Sequence, residues 1–482
     1  MEEALKERAR LLHSGSLSAI GRLADPVPAS VLVERPSGCK KVGMKPENRA
    51  RSGTIFALTI VMVPGVWAGG EAQRADLSAR AQADYESVAL AVSPGLVQAS
   101  ACLQSEAALV AIASPGQLPR IHYRKGYCAL VAAALGNQAV PGNGPQLWDQ
   151  AASEFHLAMG TWPAAHPAKR NQAVPPVPEI LPVVEALARI HATEADGPSN
   201  GAPANTTAMS AAEGALVEAE NHPSCGEELT TPELCQAYAD VGREWLGWIA
   251  LRSGDLARAA RDFSSPAAAG WQNWVEGRQA FQDARYPEAA ARYRQAIADW
   301  DRDRGNAGWF DRLRPQPDWP TSLTDWGGAR LLGGDYAGAI ATLDRAANVS
   351  RENARAFYLR ALARERSGHL DDALTDYNLA SRAAFASARE LASGDAHLYR
   401  GIMLYRRKDY ARAEEEFSSA LNFDVAPSLR ADAVAWRHLA AVAQGGCQGS
   451  RESLGRSLSA VSPFFPRQEA QAAAAACSIG GL

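Results

Sequence analysis

Small and aromatic residues return along this chain at fixed spacings that predict paired helices. In residues 354–380, Ala361 is followed by Ala373, Tyr377 and Ala380, with Gly368 breaking the middle and Leu370 opening a second helix. The same register recurs at Gly401, Ala413, Phe417 and Ala420, with Tyr410 opening the second helix. It recurs again at Gly327, Ala339, Leu343 and Ala346, and at Gly277, Ala289, Tyr293 and Ala296. Gly247, Ala259 and Phe263 follow it too, though Pro266 replaces the last alanine. Two antiparallel helices approach closely only where facing residues lack bulk, so Gly or Ala marks each crossing point. The aromatic residue fills the gap toward the next hairpin, and successive hairpins bury one continuous core.

This pattern resembles the tetratricopeptide repeat, with Leu246-Gly247 and Ala259-x3-Phe263 the best matches to its signature. The resemblance covers about residues 235–425 and implies an all-α, helical-hairpin solenoid. The register departs from the family: its second-helix alanines, 259, 289, 339, 373 and 413, lie 30, 50, 34 and 40 residues apart, and the proline that usually ends a unit is largely missing. In the family the first helix of each hairpin lines a groove. Carried over, this predicts partner contacts at Trp248, Trp271, Trp274, Arg278, Phe281, Arg355, Tyr358, Glu365, Ile402 and Tyr405.

The strongest apolar run, Thr54 to Val66, is thirteen residues, short of the roughly 20 a membrane-spanning helix needs. Lys45, Arg49 and Arg51 precede it, and Val66 and Ala68 fit the −3 and −1 positions of a cut after Ala68. Together these read as a secretory signal peptide over 44–68, with 1–43 a misassigned or disordered extension. The competing reading is a buried strand in an ordinary N-terminal domain. An exported, periplasmic or extracellular protein follows from the first. Its mature part keeps six cysteines, for which neighbour order suggests Cys102–Cys128, Cys225–Cys235 and Cys447–Cys477.

The organisation expected beyond the signal is an irregular helical region over 71–194, a flexible linker over 195–208, repeats over 209–428, and a helical cap over 429–482. In the first of these, Ala151, Phe155 and Ala158 keep the hairpin phase. Alanine abundance with only 7% aromatic residues favours close helix packing. A net charge of −4 gives no reason to expect nucleic acid or an anionic membrane as partner.

Most catalytic templates are missing, and nothing in the sequence calls for a cofactor or metal. Gly197-Pro198-Ser199-Asn200-Gly201 fits G-x-S-x-G but lacks the strand-to-helix context that motif needs. Asp299, Asp301 and Asp303 resemble an EF-hand start, but Arg304 and Phe310 stand where glycine and glutamate belong. His122, His156 and His166 share a region without ligand spacing. Glu154, His156 and Cys128 are the loose candidates for an enzyme. Eight of the twelve tryptophans fall between Trp245 and Trp326, and residues 300–326 form an insertion able to arch over the groove. The leading expectation is a non-catalytic scaffold that binds a protein or peptide. The alternatives are an envelope enzyme or accessory subunit acting through 71–194, and a glycan binder that stacks sugars on tryptophan.

Overall fold

The computed structural model describes residues 70–91, 93–136, 144–167, 177–195, 203–218, 229–304, 308–387 and 393–479. The signal-peptide reading, the G-x-S-x-G stretch and Cys225 lie outside these residues. Regular structure in the described residues is helical, and the chain divides into two compact units. Unit 1 comprises 1–181 with 225–234, and unit 2 comprises 182–224 with 235–482. Within the stretch expected as a linker, a helix starts at Pro203, where proline's fixed φ suits a first helical position.

Unit 1 contains α1 (Gly70–Ala89), α2 (Leu96–Val110), α3 (Leu118–Gly136) and α4 (Gly144–Ala165). The α3–α4 hairpin is built like the repeats. A Cβ on Gly126 would stand 2.8 Å from the Phe155 ring, and Ala151, Phe155 and Ala158 are fully buried. Cys102 of α2 is disulfide-bonded to Cys128 of α3, Cα to Cα 6.0 Å.

Unit 2 takes in most of α5 (Ile180–Ala195) and all of α6 (Pro203–Glu218). Six hairpins follow. Their first (A) helices are α7 (Pro232–Ser253), α9 (Ala269–Gln282), α11 (Trp319–Leu332), α13 (Ala354–Arg366), α15 (Gly394–Arg406) and α17 (Pro427–Ala443). Their second (B) helices are α8 (Leu256–Asp262), α10 (Tyr286–Arg304), α12 (Tyr336–Val349), α14 (Leu370–Ser387), α16 (Tyr410–Asn422) and α18 (Cys447–Ser457). A last helix, α19, spans Arg467–Ile479.

The predicted crossings are the observed ones. A Cβ on Gly247 would meet Phe263 at 3.0 Å, on Gly277 Tyr293 at 2.6 Å, on Gly327 Leu343 at 2.5 Å, and on Gly401 Phe417 at 2.6 Å. Only glycine lets those helices come so close. Asp255 and Asp335 cap B helices by accepting from Arg258 N and Gly338 N, and Asn353 and Ser393 cap A helices likewise. Each cap satisfies an amide that the helix start would otherwise leave unpaired. The turns between paired helices use a left-handed residue: Gly254, Gly334, Gly368 and Gly445, but also Ala284 and Lys408.

Cys235 and Cys477 are also disulfide-bonded. Among the described residues, no helix is long and apolar enough to cross a membrane.

Candidate functional site

The A-helix face of unit 2 carries the residues nominated for binding, but most of that face is already covered by the chain itself. The insertion accounts for one stretch. Residues 308–318 run back over α5, α7 and α9, burying Trp309, Phe310 and Leu313. The Leu313 carbonyl accepts from Trp245 Nε1 at 2.7 Å and from His191 Nε2 at 3.0 Å. Since a carbonyl only accepts, His191 carries its proton on Nε2. Burial pushes that imidazole down to about 4. The Pro315 carbonyl accepts from Trp271 Nε1 at 3.2 Å, and Arg314 donates to Glu244.

This covering places Trp271 and Trp274, expected as partner anchors, among buried side chains. Trp271 stacks on Phe263 with centroids 5.3 Å apart, and Trp274 lies 4.4 Å from the Tyr293 ring. Trp300 meets both, and both are under a tenth exposed. Helix phase does turn them from the glycine seam, but the insertion and Trp300 close over the side they turn toward. Trp248 is half-buried, with the Arg252 guanidinium 4.7 Å over its ring. The half-buried Trp319 has Arg304 at 5.7 Å. Stacking a sugar on these tryptophans would require displacing an arginine or opening the core.

The C-terminal residues cover a second stretch. After α18 the chain turns back across the A helices. Asp432 of α17 accepts from the Ser462 amide at 2.7 Å and its hydroxyl at 2.6 Å. Phe465 meets Trp436 edge-on at 5.2 Å. The ring of Phe464 sits over Gly328, 3.2 Å from where a Cβ would stand, and 6.4 Å from the ring of Phe281. From α19, Glu469 accepts from Arg406 Nη1 at 2.7 Å on both oxygens. Arg406 also donates to Glu365 at 2.9 Å and lies over Tyr405 and Trp436. Three nominated residues, Phe281, Glu365 and Tyr405, therefore belong to the seat of the chain's own C-terminal segment. Tyr358 and Ile402 are buried, Tyr358 stacking on Tyr399 at 5.0 Å.

Between the covered stretches lie Arg278 of α9, Asp325 of α11 and Arg355 of α13. Asp325 is 2.7 Å from Arg355 and 3.6 Å from Arg278. Its side chain is only 11% exposed, whereas those of Arg278 and Arg355 are 39% and 48% exposed. The Asp325 carboxylate raises the pKa of Arg355 above its ordinary value. The sequence pointed to both arginines and missed Asp325, which lies one position off the helix phase used to choose groove residues. Arg406, Phe464 and Glu469 were missed because no local spacing links residues 464–469 to helices 63 or more residues earlier.

In unit 1, His122 Nδ1 and Lys125 Nζ reach the two oxygens of Glu154 at 2.7 and 2.6 Å. Burial pushes this carboxyl up, but hydrogen bonds from His122 and Lys125 outweigh it and hold the group below its ordinary value. His156 is exposed, and the Cys128 thiol is taken up in its disulfide. Asp299 is a helix-end residue that accepts from Asn273, Gln295 and Arg302.

Consecutive hairpins with a bare residue against a bulky one at each crossing define an all-α solenoid of tetratricopeptide type. No family model matches the chain, and no curated protein matches it. Among solved structures it is similar to the crystal structure of the P58(IPK) TPR domain, at 10% identity and a TM-score of 0.25, over 84% of this chain and 98% of that one. It is also similar to the crystal structure of the APC/C hetero-tetramer Cut9-Hcn1, at 11% identity and a TM-score of 0.25, over 85% of this chain and 92% of that one.

Proposed function

We propose that this chain is an exported, non-catalytic scaffold that binds a protein or peptide partner on the A-helix face of unit 2. The observation that carries this reading is the Arg278–Asp325–Arg355 group. It is an exposed charged stretch held on three successive A helices, between two stretches the chain covers itself. Asp325 fixes both guanidinium groups from below, which lowers the entropy lost when a partner's acceptors engage them. Arginine is among the residue types that carry most interface energy. Export is supported by the apolar run at 54–66 with its basic flank and by the Cys102–Cys128 disulfide, a bond characteristic of oxidising compartments.

The test is photo-cross-linking with the full chain in its native envelope. A cross-linking residue replaces Arg278 or Arg355 in two variants, and Arg294, exposed on the B helix α10, in a control. A discrete protein adduct from the first two positions and not the third is expected. Adducts only from Arg294, or none from any position, would remove the A-helix face as the binding site.

A further inference from the structure

We infer that residues 461–470 are a built-in ligand of the A-helix face, and that the partner displaces them with a peptide of the same chemistry. That chemistry is a hydroxyl residue, then adjacent aromatic rings, then a helical turn carrying a carboxylate. The inference rests on the proposal that this face binds a partner, and it names what the partner presents.

A helix that merely capped the solenoid would stack on α18, the last B helix. α19 does pack on α18 and α17, but residues 462–469 also reach α11 and α15, and each contact resembles a step of peptide recognition. Asp432 takes the Ser462 amide and hydroxyl together. Phe465 fits against Trp436, and Phe464 against the bare backbone of Gly328. Arg406 clamps both oxygens of Glu469. Large aromatic anchors and a fully engaged arginine are what concentrate binding energy in an interface.

At Arg406, though not at the buried Asp432, the seat keeps partners of its own without its occupant. With Glu469 gone, Arg406 keeps its bonds to Glu365 at 2.9 and 3.1 Å and its place over Tyr405 and Trp436. Tyr377 still donates to Glu365 at 2.8 Å. Release therefore strands no buried charge at this point, unlike the breaking of an ordinary buried ion pair. Beyond the disulfide at Cys477, α19 adds little to hold the segment. Ala473 and Ala474 are only half-buried, while Gln471, Ala472, Ala475 and Ala476 are exposed. A ligand already attached to its site competes at a high effective concentration, so the partner binds only where its peptide outmatches the internal one.

The probe is a fluorescent peptide with the sequence of residues 459–473. Its anisotropy is titrated with the full chain and with a full-length Phe464→Ala, Phe465→Ala variant of unchanged helicity. The variant, whose own segment has lost its anchors, is expected to bind the probe at least tenfold more tightly than the parent. A probe lacking both phenylalanines is expected to bind neither. Equal binding to both chains, or to neither, overturns the inference. Should the variant fail to fold, hydrogen exchange on the parent decides: amides of 461–470 exchanging faster than those of α13 and α15 support a displaceable segment. Exchange of all three together makes the segment part of the core and overturns the inference. A partner cross-linked at Arg278 or Arg355 that the peptide does not displace would sink this inference and leave the scaffold reading standing. Displacement without any cross-linked partner would do the reverse.

Discussion

A Cβ on Gly277 would stand 2.6 Å from the ring of Tyr293, closer than any side-chain carbon normally sits to another group. The same relation joins Gly327 to Leu343. In both hairpins the tightest point is backbone against a bulky side chain. Alanine is a better helix former than glycine by about 1 kcal/mol, but here the added carbon forces the helices apart. Gly277→Ala and Gly327→Ala are each expected to destabilise by about 1–3 kcal/mol. Gly455→Ala in α18, where nothing lies within 4 Å, is expected to stabilise by about 0.5–1 kcal/mol. Urea unfolding of the three variants checks the contrast. A loss at all three positions would mean the seam is not the cause.

Ala284 and Lys408 hold φ of 58° and 64° at the turn position where other hairpins place glycine. The backbone bonds of that turn are formed regardless, as in Arg285 N to Ala280 O at 2.8 Å and Asp409 N to Leu404 O at 3.0 Å. A side chain in this conformation costs roughly 1–2 kcal/mol, part of which glycine returns through its freer unfolded state. Ala284→Gly and Lys408→Gly are therefore expected to raise the melting temperature, each by about 0.5–1 kcal/mol of stability. Lower melting temperatures would show that the side chains themselves hold the turns.

Trp274 is a core residue, so its loss should be felt in folding before it is felt in binding. Trp274→Ala is expected to cost about 3–5 kcal/mol. Arg355→Ala, on an exposed side chain, is expected to change stability by no more than about 1 kcal/mol while weakening partner capture. Thermal unfolding and cross-linking yield, measured on both variants, separate the two effects. A stable Trp274→Ala chain that has lost its partner would restore the tryptophan to the binding surface.

The two units contribute opposite pH dependences. In unit 2, burial holds His191 at about 4 against an ordinary 6.5. The unfolded chain takes up a proton below 6.5 and the folded one does not until about 4. This contribution is complete above 6.5 and falls by roughly 3 kcal/mol as the pH drops through that window. In unit 1, burial raises the fully buried Glu106 to about 7 from 4.5, against the pull of Arg124 at 2.7 Å. Its contribution is present below 4.5 and is lost as the pH rises through 7. Denaturant unfolding across pH 4 to 8 is expected to show His191→Gln flattening the acid limb and Glu106→Gln flattening the limb toward neutrality. An acid limb unchanged in His191→Gln would assign it to other groups.

The hairpins were legible in the sequence because their cause is local: a bare residue and a bulky one at a fixed separation within thirty residues. Gly277 and Tyr293 can be found with no knowledge of the rest of the chain. The cover over the A helices was not legible for the complementary reason. Phe464 meets Gly328 across more than a hundred residues, and neither residue carries a mark of the other. The tryptophans illustrate the limit of helix phase. It gives the direction in which Trp271 and Trp274 leave the helix, not what waits there. Gly126, opposite Phe155, could have been found by extending the repeat register across the loop between α3 and α4.

The insertion over α5, α7 and α9 is tied down in part by its main chain. Trp245 and His191 converge on the carbonyl of Leu313, and Trp271 reaches that of Pro315. A carbonyl is the same whatever side chain its residue bears. Those two attachments impose a path at Leu313 and Pro315 whatever side chains stand there, while Trp309, Phe310 and Arg314 are held by their side chains. Relatives of this protein can keep the same strap across the same indoles and imidazole while their spelling there drifts apart. Such kinship would be visible in the hydrogen-bond donors of the receiving helices sooner than in the strap.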